Sequence, residues 1–154
     1  MANQQLIDFL DEHQINYLSI THPLAYTAQE IAASAHVPGS EITKTVMVKL
    51  DGNMVMVVIP ANRRLDLELL RQATGAESAT LATESEFRRL FKDCELGAMP
   101  PFGNLWGISV ITDEELAHEK RISFNAGSHL ELIKIAYSDF DQWVHPTVLH
   151  VTQS

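Results

Sequence analysis

The chain has 154 residues, 45% of them hydrophobic, so one domain spanning residues 1–154 can bury a core without a disulfide or a metal staple. Eleven Lys and Arg against twenty Asp and Glu leave a net charge of −9, which argues against a protein that grips nucleic acid by broad electrostatics. The single cysteine, Cys94, has no internal partner and fits a reducing cytoplasm; no signal-peptide layout opens the chain, and apolar runs such as Val55 to Ile59 are too short for a bilayer.

In chain order, Gln4 to Glu12 reads as a helix with Leu6, Ile7, Phe9 and Leu10 on one face. Asn16 to Ile20 reads as a strand, broken by His22-Pro23. Thr27 and Glu30 form a capping box for a helix through Ile31 to Ala35, which Pro38-Gly39 ends. Thr43 to Leu50 and Met54 to Ile59 read as a hairpin across Asp51-Gly52-Asn53, apolar enough to be buried on both faces.

Asp66 to Thr74 is a predicted helix stopped by Gly75, and Thr83 to Phe91 a second one opened by a Thr83–Glu86 capping box. A Gly/Pro loop runs from Gly97 to Gly103, followed by a predicted strand from Trp106 to Ile111 and a helical turn from Asp113 to Ala117. Arg121 to Ala126 and Leu130 to Ala136 form a second hairpin around Gly127-Ser128-His129, and Ser138 is expected to cap a last helix to about Trp143. Interspersed strands and helices with two hairpins predict a mixed α/β fold: a largely antiparallel, or barrel-like, sheet surrounded by helices. There is no Gly-rich phosphate loop between a strand and a helix, which argues against the common nucleotide-cofactor enzymes.

Seven histidines form no HExxH motif, and there is no cysteine pair, so neither a metal nor a cofactor is expected. No GxSxG elbow is present, and a lone cysteine is more often a small buried hydrophobe than a nucleophile. Most of the basic residues between Arg63 and Lys92 read as solvated helix faces balancing nearby carboxylates. Three features stand out. Lys44 opens an apolar strand; it either snorkels to water or holds a cation at a pocket mouth, against a phosphate or a developing negative charge. Gly97-Ala98-Met99-Pro100-Pro101-Phe102-Gly103 is either an ordinary turn or a rigid loop that aims backbone N–H groups at one point. His129, at a hairpin tip, either lies at the surface or meets a substrate.

The order of His22 with Thr27 and Glu30, Gly39, Lys44, the Gly97 to Gly103 loop, Asp113 to Leu116, Phe124 to His129 and Leu132-Ile133 resembles the YbaK-like domain. That editing domain is also inserted in bacterial prolyl-tRNA synthetases. The resemblance covers roughly residues 20 to 140. It implies hydrolysis of the ester joining an amino acid such as Ala, Ser, Thr or Cys to the 3′ end of tRNA. It gives Lys44 the terminal nucleotide, and Gly97 through Pro101 the acyl carbonyl and the attacking water. It makes His22, Met99, Phe102, Gly103, Gly127, Ser128 and His129 substrate-binding residues. An activated ester needs positioning and an oxyanion site more than a strong base, which is compatible with the missing triad. The implied partner is aminoacyl-tRNA, read mainly at its acceptor end and delivered alongside a synthetase, with neither DNA nor a membrane involved. A binding module of the same fold without catalysis, and a hydrolase of another small acyl ester, are the alternative readings.

Overall fold

The computed structural model describes residues 2–21 and 38–154. The expected His22 contact and the Thr27–Glu30 capping box lie outside the described residues.

Helix α1 (Gln4–Glu12) starts where Asn3 caps it, the Asn3 side chain accepting from the Leu6 N–H, and it buries Leu6 and Leu10. Strand β1 (Leu18–Thr21) begins two residues later than expected. After a 3₁₀ turn at Gly39–Glu41 come β2 (Thr43–Leu50) and β3 (Asn53–Pro60), paired antiparallel over their full length. The connection is tighter than the expected three residues. Asp51 and Gly52 both have positive φ, and Asn53 already belongs to β3, as a two-residue primed turn requires.

Strand β4 (Arg64–Leu65) leads into α2 (Leu67–Thr74), whose first turn is capped by Asp66 accepting from the Glu68 and Leu69 N–H groups. Strand β5 (Ala79–Leu81) precedes α3 (Glu84–Phe87), which carries the Thr83–Glu86 capping box but ends four residues before the expected Phe91. The strand expected from Trp106 is displaced. Gly103–Trp106 is a 3₁₀ turn, Gly107 takes a left-handed conformation, and β6 runs over Val110–Asp113. Asp113 caps α4 (Glu114–Ala117).

The second hairpin is β7 (Arg121–Asn125) and β8 (Glu131–Ala136). Helix α5 (Tyr137–Val144) begins directly from β8, so Ser138 sits inside its first turn and Ala136 occupies the cap position without a side-chain bond. Strands β9 (Thr147–Leu149) and β10 (Thr152–Gln153) complete the described elements.

Three sheets form, in the orders β1-β8-β7, β10-β4 and β5-β2-β3-β6-β9. All pairings are antiparallel except β3 with β6 and β6 with β9. A parallel bridge from Ile42 to Ser123 joins the start of β2 to the middle of β7, so the two larger sheets meet there.

The apolar run of β3 is explained by two cores. Met56 and Val58 enter the main core with Met47, Val110, Phe102, Phe124 and α1. Val57 and Ile59 point the other way, to Leu70 of α2, Ile111 and Val151. Alternate residues of one strand thus serve opposite faces, and both faces are covered.

Candidate active site

The junction of the two sheets opens into a cavity of about 280 Å³. The start of β2 supplies Ile42, Thr43, Lys44 and Thr45, and the residue after β3 supplies Ala61. The Gly/Pro loop supplies Gly97 and Met99. Asn125 at the end of β7, His129 at the hairpin tip and Leu132 of β8 close the wall. Lys44, Gly97, Met99 and His129, far apart in sequence, therefore line one space.

The loop and the hairpin tip are tied together by backbone bonds. The Gly127 N–H donates to the Ala98 carbonyl (2.9 Å), and the Glu95 N–H to the Gly127 carbonyl (2.8 Å). The Ala98 N–H turns back to the Glu95 carbonyl (3.0 Å), and the Asn3 N–H reaches the Ala126 carbonyl (2.6 Å) from the start of α1. His129 is held twice. Its backbone N–H donates to Glu95 Oε2 at 2.9 Å, and its ring Nε2 lies 2.6 Å from the Leu96 carbonyl oxygen. A carbonyl only accepts, so Nε2 carries the proton and Nδ1 is the acceptor of the neutral ring.

Two glycines are required by this geometry. Gly97 has φ +81°, and a Cβ there would lie 3.5 Å from His129 Cε1. Gly127 has φ +91°, and a Cβ would meet Asn3 Cβ at 2.8 Å. The positive φ strains a side chain at either position, and at Gly127 its Cβ would also collide with Asn3. Neither the Gly97 nor the Met99 N–H has a protein acceptor among the described residues, whereas the Ala98 N–H between them does.

Lys44 is exposed and makes no ion pair among the described residues, although Lys49 on the same strand is bound to Glu86 at 2.6 Å and Lys134 lies 3.6 Å from Glu41. No Asp or Glu among the described residues lines the cavity, so none of them neutralises the Lys44 charge there. In a chain of net charge −9, a cation left without a carboxylate at a cavity is free to meet an anionic ligand.

Other expected substrate residues are placed elsewhere. Phe102 is fully buried, its ring centroid 5.4 Å from that of Phe124 and 5.9 Å from those of Phe9 and Phe140, so it anchors the loop to the core and does not reach the cavity. Gly103 is packed so closely that a Cβ would lie 2.7 Å from the Ile108 carbonyl oxygen; its role is to let the chain turn into β6. Pro101 is buried behind the loop and is absent from the cavity lining. Ser128 is buried and accepts from the Leu130 N–H at 3.1 Å, shaping the hairpin tip from within.

Asn125, Thr43, Thr45 and Leu132 also line the cavity, and no role for any of them was legible in the sequence. Asn125 lies inside the quoted Phe124 to His129 segment, but nothing in its type marked it as facing a cavity. Cys94 is half-buried, and burial followed by the nearby Asp93 charge pushes its thiol up to about 11, which does not favour a nucleophilic thiolate. No cluster of three or more His, Cys, Asp or Glu able to hold a metal occurs among the described residues. No helix among them is long and apolar enough to cross a membrane.

A charged strand lysine, a glycine-pinned loop with two N–H groups that meet no acceptor among the described residues and a fixed histidine define a pocket suited to a polar ester. The family model for the aminoacyl-tRNA editing domain matches residues 22–142, and the chain belongs to that family. It is accordingly an enzyme of the aminoacyl-tRNA deacylase class.

The chain is 26% identical over 149 residues to the prolyl-tRNA editing protein ProX of Acetoanaerobium sticklandii, covering 93% of this chain and 90% of that protein. It is 36% identical over 81 residues to the proline–tRNA ligase of Staphylococcus saprophyticus, where the match covers 53% of this chain and 13% of the ligase. Among solved structures, one provisionally described as a trans-editing enzyme for prolyl tRNA synthetase superposes with a TM-score of 0.84 at 18% identity, covering 99% of this chain and 97% of that one. That likeness shows the shared fold.

Proposed function

We propose that this chain, as one editing domain over residues 1–154, acts in the cytoplasm and in trans on a mischarged tRNA. It removes a small amino acid such as Ala, Ser, Thr or Cys. The observation that carries this reading is the convergence of Lys44, the Gly97 to Met99 loop and His129 on one cavity with no carboxylate among its described lining residues. The similarity to a protein named for prolyl-tRNA editing supports the proline-accepting tRNA as the substrate.

In this reading the 3′-terminal aminoacyl-adenosine enters the cavity. Lys44 engages the terminal nucleotide through its phosphate. The Gly97 and Met99 N–H groups hold the ester carbonyl and the oxyanion that forms on it, while the loop positions the attacking water. Water adds to the carbonyl carbon, the ester C–O bond breaks, and the ribose oxygen leaves with a proton. His129, fixed through Nε2, lines the amino-acid side with Met99. The apolar surfaces of Ile42, Met99 and Leu132 suit a small, weakly polar side chain. Editing by hydrolysis is needed because a synthetase pocket discriminates poorly between near-isosteres.

The acidic surface supports recognition confined to the acceptor end, with a synthetase delivering the tRNA. The test is deacylation of a panel of mischarged tRNAs by wild type and Lys44→Ala. Hydrolysis by the wild type and its loss in the variant are expected. No hydrolysis of any member sinks the deacylase reading, and equal rates sink the role of Lys44. Tight, salt-insensitive tRNA binding contradicts acceptor-end recognition.

A further inference from the structure

The donors of the cavity have been given tasks, but its acceptors have not. Among the described residues Asn125 Oδ1 is buried without a hydrogen-bond partner, and so is Oγ1 of Thr43, a residue only 5% exposed. Both residues line the cavity. They sit at the sheet junction, Thr43 one residue beyond the Ile42–Ser123 bridge on its strand and Asn125 two residues beyond it on the other. Buried polar atoms are satisfied in nearly every folded protein, and an exception within a ligand cavity points to the ligand as the missing partner.

The partner of Asn125 Oδ1 must be a donor, because a side-chain carbonyl oxygen only accepts, and the Thr43 hydroxyl can accept from the same group. Among the described residues none lies within hydrogen-bond distance of either oxygen. Lys44 is exposed, and the His129 Nε2 proton is engaged by the Leu96 carbonyl. No carboxylate among the described lining residues competes for a donor. An aminoacyl ester presents an acceptor, its carbonyl, and, one carbon away, a donor, its α-amino group. The free loop N–H groups match the first, and the two unpartnered oxygens match the second.

We propose that Asn125 Oδ1, together with Thr43 Oγ1, accepts hydrogen bonds from the α-amino group of the aminoacyl ester, so that the site selects acyl groups bearing a free α-amine. This rests on the deacylase reading. A site built around a substrate N–H rejects the analogue that lacks it more strongly than a shape-matched apolar pocket can, because the buried acceptors are then left unpaired. Asn125 is thereby a specificity-determining residue, and the site would spare the same acyl chain without its amine.

The test compares alanyl-tRNA with propionyl-tRNA, which is the same ester with hydrogen in place of the amine. Each kcat/KM is divided by the spontaneous hydrolysis rate of its own substrate, removing the intrinsic difference in ester reactivity. The wild type is expected to favour alanyl-tRNA by about 10-fold or more. Asn125→Leu is expected to bring that ratio close to one by slowing alanyl-tRNA far more than propionyl-tRNA, and Asn125→Asp, which keeps an acceptor, to retain the preference. Equal normalised rates in the wild type overturn the proposal, as does an Asn125→Leu variant that slows both substrates equally. Should that variant fail to fold, the wild-type comparison alone decides. Failure to hydrolyse alanyl-tRNA or any other member of the mischarged panel removes the deacylase reading itself, whereas hydrolysis without amine preference removes only this inference.

Discussion

The two walls of the cavity are built on opposite terms. The wall made by the Gly97 to Met99 loop and the Ala126 to His129 tip is over-determined: Gly127 bonds to both Ala98 and Glu95, and His129 is held through backbone and ring. The wall made by β2 and the end of β7 is under-determined. Among the described residues Lys44 carries a charge without a counter-charge, and Thr43 and Asn125 carry buried oxygens without donors. A wall that satisfies itself can hold a fixed geometry against a reacting carbonyl. A wall left unsatisfied must obtain its partners from what binds. The division separates positioning from recognition within one cavity of about 280 Å³.

Lys44→Ala gives the largest expected effect, because it removes the unpaired cation from the second wall. Deacylation should fall by about 10²-fold or more. Thermal stability should hardly move, since an exposed lysine without an ion pair supports no packing. A large loss of melting temperature would show that the second wall is structural after all.

Gly97→Ala attacks the first wall. A left-handed alanine costs roughly 1–2 kcal/mol, and the loop would relax around it beside the His129 ring that its methyl touches. A misplacement of about 1 Å is enough to cost ~10²-fold in rate, so activity should drop by about 10-fold to 10²-fold, accompanied by a measurable loss of stability. That coupled loss contrasts with Lys44→Ala, where activity and stability should separate. Glu95→Ala is gentler. It leaves the His129 N–H without its carboxylate acceptor, and the tip should loosen by about 0.5–1.5 kcal/mol with a several-fold slower reaction. Glu95→Gln keeps an acceptor oxygen and should restore most of the rate; failure to do so would mean that the charge matters more than the tie.

What the sequence disclosed follows the same division. Local chemistry was legible: the capping box at Thr83–Glu86, the Asp-Gly turn of the β2–β3 hairpin, and the α1 helix with its exact bounds all depend on neighbours within a few residues. Lys44, Gly97, Met99 and His129 stood out as unusual types at unusual places, and they do meet at the cavity. Phe102 and Gly103 share the same conspicuous loop but turn into the core, because sequence proximity does not say which way a side chain faces. The Trp106 strand was misplaced because its apolar residues serve a 3₁₀ turn over the core, with pairing deferred to Val110. Asn125 was illegible for another reason. Its significance lies in a missing partner, and an absence of contact exists only once the strands are assembled.

The smallest expected effect is a control placed outside both walls. Glu86 accepts from Lys49 at 2.6 Å and from the Thr83 N–H and hydroxyl, tying α3 to β2 away from the cavity. These bonds, that of Lys49 foremost, pull its carboxyl down to about 2 from an ordinary value of 4.5. A depressed folded-state value means that the stabilisation is present above the unfolded value and is lost as pH falls through the folded one. Wild type should therefore be slightly more stable than Glu86→Gln at pH 7, and the gap should narrow from about pH 4.5 and close near pH 2. The pair is solvent-exposed, so added salt should shrink the gap as well. Deacylation at neutral pH should be the same in both proteins, because β2 keeps its pairing with β3 along the whole strand and the cavity end is set by that ladder. If Glu86→Gln slows the reaction as much as Glu95→Ala, the position of Lys44 depends on the far end of its strand, and the second wall is held more firmly than its unsatisfied groups suggest.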